Sequence, residues 1–129
     1  MSNEQSVQAL WNSINKQDWA ALPAYFTDSA VIHWHNTNER FTVREFVLAN
    51  SQYPGRWRIA IEKLLSVADT VISVVKVGLA DGGAAFHAVS FFQFQEGKIA
   101  VLDEYWGDDG LPPQWRADMG IGKAILEQQ

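Results

Sequence analysis

The sequence predicts an α+β fold: a curved antiparallel sheet wrapped around N-terminal helices, forming a cone with an internal pocket. Three observations lead there. Capping signals and helical periodicity are confined to the N-terminal part of the chain. Period-two alternation then dominates from Arg56 onward, and helices followed by runs of strands mark α+β rather than a doubly wound fold. Residues 84–110, AAFHAVSFFQFQEGKIAVLDEYWGDDG, form a hairpin that is apolar on both faces. Such a sheet must be covered on both sides, by helices on one and by a partner subunit on the other.

Taken in order, Ser2-Asn3-Glu4-Gln5 has the S-x-x-Q form of a capping box and precedes Val7, Leu10, Trp11 and Ile14 at helical spacing. This helix should end near Lys16. Asp18 is the candidate cap of a second, shorter helix carrying Trp19, Leu22 and Phe26, interrupted at Pro23. Thr27-Asp28-Ser29 reads as a turn, Ala30 to His35 as a short strand, and Asn36 to Arg40 as a polar loop. Thr42-Val43-Arg44-Glu45 is a second capping box, opening a helix that stops before Tyr53-Pro54-Gly55.

Strands follow. Arg56 to Val67 alternates Trp57, Ile59, Ile61, Lys63 and Leu65 against Arg58, Ala60, Glu62 and Leu64. Ala68-Asp69 turns into a Val-rich strand over 70–80, and Asp81-Gly82-Gly83 turns again. The hairpin's first arm sets Phe86, Ala88, Ser90, Phe92 and Phe94 on one face and His87, Val89 and Phe91 on the other. After a tight turn at Glu96-Gly97, the second arm sets Ala100, Leu102, Glu104 and Trp106 against Ile99, Val101, Asp103 and Tyr105. Beyond Gly110, Trp115 and residues 121–126 are expected to dock back as a short helix.

Composition narrows the function classes. The 129 residues are expected to form a single domain over 1–129, with 47% hydrophobic and 19% charged residues, an ordinary globular balance. A formal net charge of −5 excludes a phosphate-backbone partner, so no nucleic acid is expected. No apolar run reaches the length that spans a bilayer, so no membrane is expected, and the polar start MSNEQS makes a cytoplasmic location the expectation. There is no cysteine for disulfides or thiolate metal sites. Six Trp in so small a chain exceed what a core needs, and some are expected to line a pocket.

The element order, together with Asp18–Ala30 (DWAALPAYFTDSA), Thr42–Phe46 (TVREF) and Gly97–Arg116 (GKIAVLDEYWGDDGLPPQWR), resembles the nuclear transport factor 2-like superfamily and, within it, the SnoaL-like group. The likeness runs from residue 5 to about 116. Relatives include polyketide cyclases, steroid isomerases, dehydratases, epoxide hydrolases and non-catalytic proteins, so the fold alone does not fix the activity. The steroid isomerases' base, oxyanion-stabilising Tyr and protonated Asp fall here on Trp34, Leu10 and Ser90, none of which carries that chemistry. The resemblance to SnoaL-type cyclases implies an acid/base carboxyl at Glu104, with Ser90 standing where those enzymes carry a His.

The residues carry their own argument. Glu104 shares a face with Leu102 and Trp106, and a carboxyl among aromatics has its charged form disfavoured, which suits proton transfer. The other reading is a carboxylate satisfied by Arg58 or another buried donor. Trp34, Phe86, Phe92 and Trp106 are expected to shape the pocket, and Ser90, Tyr25 and Tyr53 to offer hydroxyls to a ligand. Each hydroxyl has a backbone group as its alternative partner. His33-Trp34-His35 has the H-x-H spacing of two metal ligands, with His87 or an acid as a third. No carboxylate follows at a fixed spacing, so neither metal nor cofactor is expected; one His should line the pocket mouth and the other face solvent.

The expected function is binding of a hydrophobic or aromatic small molecule, with cofactor-free proton transfer (cyclisation, isomerisation or dehydration) by Glu104. The alternative is a non-catalytic ligand-binding or interaction domain. The opposite sheet face carries Val89, Phe91, Val101 and Tyr105, which a homodimer packed sheet on sheet would bury.

Overall fold

The computed structural model describes residues 1–126, so residues 127–129 of the expected domain lie outside the described residues. Helix α1 (Asn3–Asn15) opens with the expected capping box, Ser2 Oγ accepting from Gln5 N and Gln5 Oε1 accepting from Ser2 N. Its Val7, Leu10, Trp11 and Ile14 are buried against strands β3 (Trp57–Val67) and β4 (Thr70–Leu79). The expected second, shorter helix is a 3₁₀ helix, Trp19–Tyr25; Asp18 makes no side-chain cap bond, and Pro23 within it cannot donate an intrahelical hydrogen bond. Phe26, expected in that helix, starts strand β1 (Phe26–Trp34), which also takes in the expected turn at residues 27–29.

The expected loop 36–40 holds the beginning of a strand. Asn36 side-chain atoms pair with the backbone of Trp106, and β2 (Glu39–Thr42) folds back antiparallel on β1. Its four residues are mostly polar and exposed, which is why alternation gave no sign of it. Helix α2 (Val43–Ser51) is capped reciprocally by Thr42 and Glu45 as expected, with Phe46 buried against Phe26.

Strands β3 to β6 form the meander, with β5 at Ala85–Gln95 and β6 at Lys98–Asp108. Glu96 and Gly97, both at positive φ (51° and 82°), make the turn between β5 and β6. The six-stranded sheet has the order β2-β1-β6-β5-β4-β3. It is mixed rather than wholly antiparallel, because β1 lies parallel to β6 while every other neighbour is antiparallel.

Two bulges change which residues face inward. Gln93 pairs with Val101 but Phe94 with Ile99, so Ala100 is extra and Ile99, expected on the outer face, is fully buried. On β3 the register slips between Ile61 and Lys63, which turns Leu64 toward the core and leaves Leu65 exposed. The tail departs most from expectation: after a single turn, α3 (Gln114–Ala117), residues 121–126 form no helix, and Leu111, Trp115, Ile121 and Ile125 stay exposed.

The core's largest fully buried side chains include Phe46, Phe92, Leu10 and Leu102. Replacing Phe92 by Ala should cost about 3–5 kcal/mol by opening a cavity beneath α1. Thr42→Ala should cost about 1 kcal/mol by removing one cap. Both are read as a lower urea midpoint at unchanged m-value.

Candidate functional site

The parallel pairing of β1 with β6 builds the site. It sets Trp34 beside Glu104 in register, while the antiparallel pairing of β6 with β5 sets Ser90 on the other side of Glu104. Side chains in register share a face, so the three meet inside the cone. The Trp34 indole Nε1 donates to Glu104 Oε1 at 3.0 Å, and the Ser90 hydroxyl donates to Oε2 at 2.5 Å. One strand further, Ser73 pairs with Ser90 in register and accepts from Trp11 Nε1 at 3.1 Å. A buried polar row therefore crosses four strands, closed by an indole at each end.

Glu104 is 7% exposed, and its two hydrogen-bond donors are neutral. Burial pushes its carboxyl above the ordinary glutamate range; the hydrogen bonds from Ser90 and Trp34 act the other way without cancelling it. Arg58, the alternative sequence partner, is exposed on β3, three strands away.

Glu104 reaches the wall of a cavity of about 300 Å³ enclosed by the helices and the concave face of the sheet. Of the residues expected to bind a ligand, Trp34, Tyr53, Phe86 and Trp106 line this cavity. Trp34 stands edge-on to Trp106, with ring centroids 5.5 Å apart, and Tyr53 stacks on Trp57 at 5.1 Å toward the mouth. Gly55 lies between those two rings in sequence at φ +96°, where an added Cβ would come within 2.8 Å of Leu79.

The other expected residues are elsewhere. Ser90 is fully buried and spends its hydroxyl on Glu104, so it holds the carboxyl instead of facing the cavity. Phe92 is fully buried, edge-on to Trp11, and belongs to the core. Tyr25 shares a hydrogen bond with Ser13 at 3.1 Å, tying the 3₁₀ helix to α1. His33 does not reach the pocket mouth. With Trp34 turned inward, alternation puts His33 and His35 together on the outer face, where both bond Asp103.

Sequence reasoning missed Trp11, Trp19 and Trp57, which complete the wall: five of the six Trp line the cavity, Trp115 alone standing on the exposed tail. The Trp count was the available signal. Gln17, Asn50 and Asp108 add polar groups to the lining. Asp108 lies two positions beyond Trp106 on the same face of β6, nearer the exposed strand end.

The raised Glu104 value has a consequence for stability. The folded chain holds that proton more tightly than the unfolded chain, so the residue favours folding below the ordinary glutamate range. That contribution is lost as pH rises through the folded value. Glu104→Gln, an isostere of the neutral acid, should therefore melt above wild type at about pH 8, with the gap closing toward about pH 4. Parallel melting curves across that interval check it, and a constant gap would contradict it.

The sequence profile of the SnoaL-like domain matches residues 7–102. No curated protein matches the sequence. Among solved structures, a candidate ketosteroid isomerase from Kribbella flavida superposes with a TM-score of 0.81 at 20% identity, covering 97% of this chain and 91% of that one. An NTF2-like protein of unknown function from Burkholderia xenovorans gives 0.77 at 19% identity, over 98% and 94%. A candidate SnoaL-like polyketide cyclase from Shewanella putrefaciens gives 0.67 at 13% identity, over 82% and 80%. Identities this low establish a shared fold and leave the substrate open. The profile match spans most of the chain, and with the cone of helices and mixed sheet it makes this protein a member of the SnoaL-like domain family, with the NTF2-like fold.

Proposed function

We propose that this single-domain chain binds a hydrophobic or aromatic small molecule in the tryptophan-lined cavity and transfers a proton through Glu104 without a cofactor. The observation that carries the reading is a buried carboxyl on an aromatic cavity wall, hydrogen-bonded only by neutral donors among the described residues. A carboxyl in that setting keeps its proton to higher pH and can deliver it to a substrate oxygen or double bond. Ser90 and Trp34 fix its orientation, so the acid is a preorganised group. Cyclisation, isomerisation and dehydration each need such a transfer.

A second reading has its own support. Both Glu104 oxygens are already engaged, which also suits a structural carboxyl in a non-catalytic ligand-binding domain. Thermal-shift screening of aromatic and polycyclic molecules against wild type and Glu104→Gln separates the two. A ligand present at about a hundred times its Kd should stabilise wild type by about 2.7 kcal/mol. Loss of that shift in Glu104→Gln, followed by turnover on the hit, supports proton transfer. Equal shifts in both proteins favour the binding domain.

The chain also acts, in this reading, as a homodimer through the outer sheet face. Val89, Phe91 and Val101 are half-buried there and Tyr105 is 44% exposed, and the apolar tail residues Leu111, Trp115, Ile121 and Ile125 are themselves exposed instead of covering this face. Sheet-on-sheet pairing should give a solution mass of twice the 14.5 kDa chain at micromolar concentration, and a monomer mass would refute it.

A further inference from the structure

On the side of the sheet away from the cavity, β1 and β6 bring two imidazoles and a carboxylate to one point. His33 and Asp103 are register partners on the parallel strands, and His35 follows on the same face just past the end of β1. His33 Nδ1 lies 2.9 Å and His35 Nε2 2.7 Å from the same oxygen, Asp103 Oδ1. The three candidate donor atoms all fall within 4.8 Å of one another. Ligands about 2.0–2.1 Å from a tetrahedral ion stand about 3.3 Å apart, so small rotations of these side chains would seat one.

We propose that His33, His35 and Asp103 form a binding site for a first-row divalent cation of the zinc type, on the outer face and separate from the cavity. Two imidazoles and one carboxylate are donors that such ions take. The His35 ring is already oriented, stacked on Tyr105 with centroids 4.3 Å apart and planes within 9°. In the single chain, side-chain exposures of 35%, 40% and 22% for His33, His35 and Asp103 leave the site open to an ion. Three protein donors leave a fourth position directed off the sheet, for water or for a donor from a second copy.

The third histidine shows what such a site requires. His87 also has two acidic neighbours, but Nε2 faces Glu62 at 3.2 Å while Nδ1 faces Asp109 at 2.5 Å. Its carboxylates sit at opposite edges of one ring and cannot converge on one ion through one nitrogen. His33 and His35 each contribute a separate nitrogen to a shared point. The expectation that no metal binds rested on the outer-face position of His87 and on the lack of a regularly spaced acid; His33 and His35 also face outward, and their acid comes from a strand 70 residues away in sequence.

The test is zinc titration of untagged, metal-stripped protein against a chromophoric chelator at about pH 7.5, since binding at imidazole nitrogens releases protons and strengthens with pH. The expected result is one ion per chain, at least about tenfold weaker binding in His35→Ala and Asp103→Asn, and unchanged binding in His87→Ala. No binding at about 100 µM zinc, or equal loss in all three variants, would overturn the site. Because variants can fail to fold, imidazole NMR of the wild-type protein gives a second reading. Zinc should shift the His33 and His35 resonances and spare His87; the reverse pattern would overturn the proposal.

Discussion

The burial of Glu104 between Trp34 and Ser90 is the interaction on which the rest of the site depends. A carboxyl taken out of water loses several kcal/mol of solvation unless it is protonated or hydrogen-bonded. Here it has two neutral donors and no opposing charge among its partners, so it is satisfied as a hydrogen-bonding group yet still disfavoured as an anion. That combination differs from a structural ion pair, in which an opposing charge would favour the anion. It requires β1 to lie beside β6, since no other strand of the sheet could bring the Trp34 indole to Oε1.

Around that carboxyl the cavity follows from strand register and bulky aromatic walls. The bulge at Ala100 returns Ile99 to the core face beneath Phe26, and the slip on β3 does the same for Leu64. Bulges increase local twist and bend a strand, and they let a sheet curve around α1 rather than lie flat against it. Edge-on contacts hold Trp34 against Phe41, Phe46 and Trp106, fixing the indole that holds Glu104. Packing thus orients the polar group that orients the acid.

The same strand pair is chemically double-sided. Residues 34 and 104 face the cavity, and residues 33, 35 and 103 face out, so the register that buries an acid on one face gathers imidazoles and a carboxylate on the other. A one-residue slip of β1 against β6 would dismantle both clusters together. The constraint on this pairing is therefore stronger than the backbone hydrogen bonds alone would impose.

The sequence by itself determined whatever is local. The capping boxes at Ser2 and Thr42, the two-residue turn at Glu96-Gly97 and the inward row Ala88-Ser90-Phe92 are written in neighbouring residues, through caps, positive φ and period-two alternation. Glu104 was legible as a candidate because its strand neighbours Leu102 and Trp106 are apolar. Short polar β2 carried no periodicity, and single-residue bulges invert alternation without changing composition, so β2 and the inward turn of Ile99 were not legible. Tertiary structure alone decided that Trp34 and Ser90 would serve Glu104, that Trp11, Trp19 and Trp57 would wall the cavity, and that His33 would turn away from it. Each of these rests on a contact between distant parts of the chain, and pairings of that kind are set by the packing of the whole sheet rather than by any stretch within it.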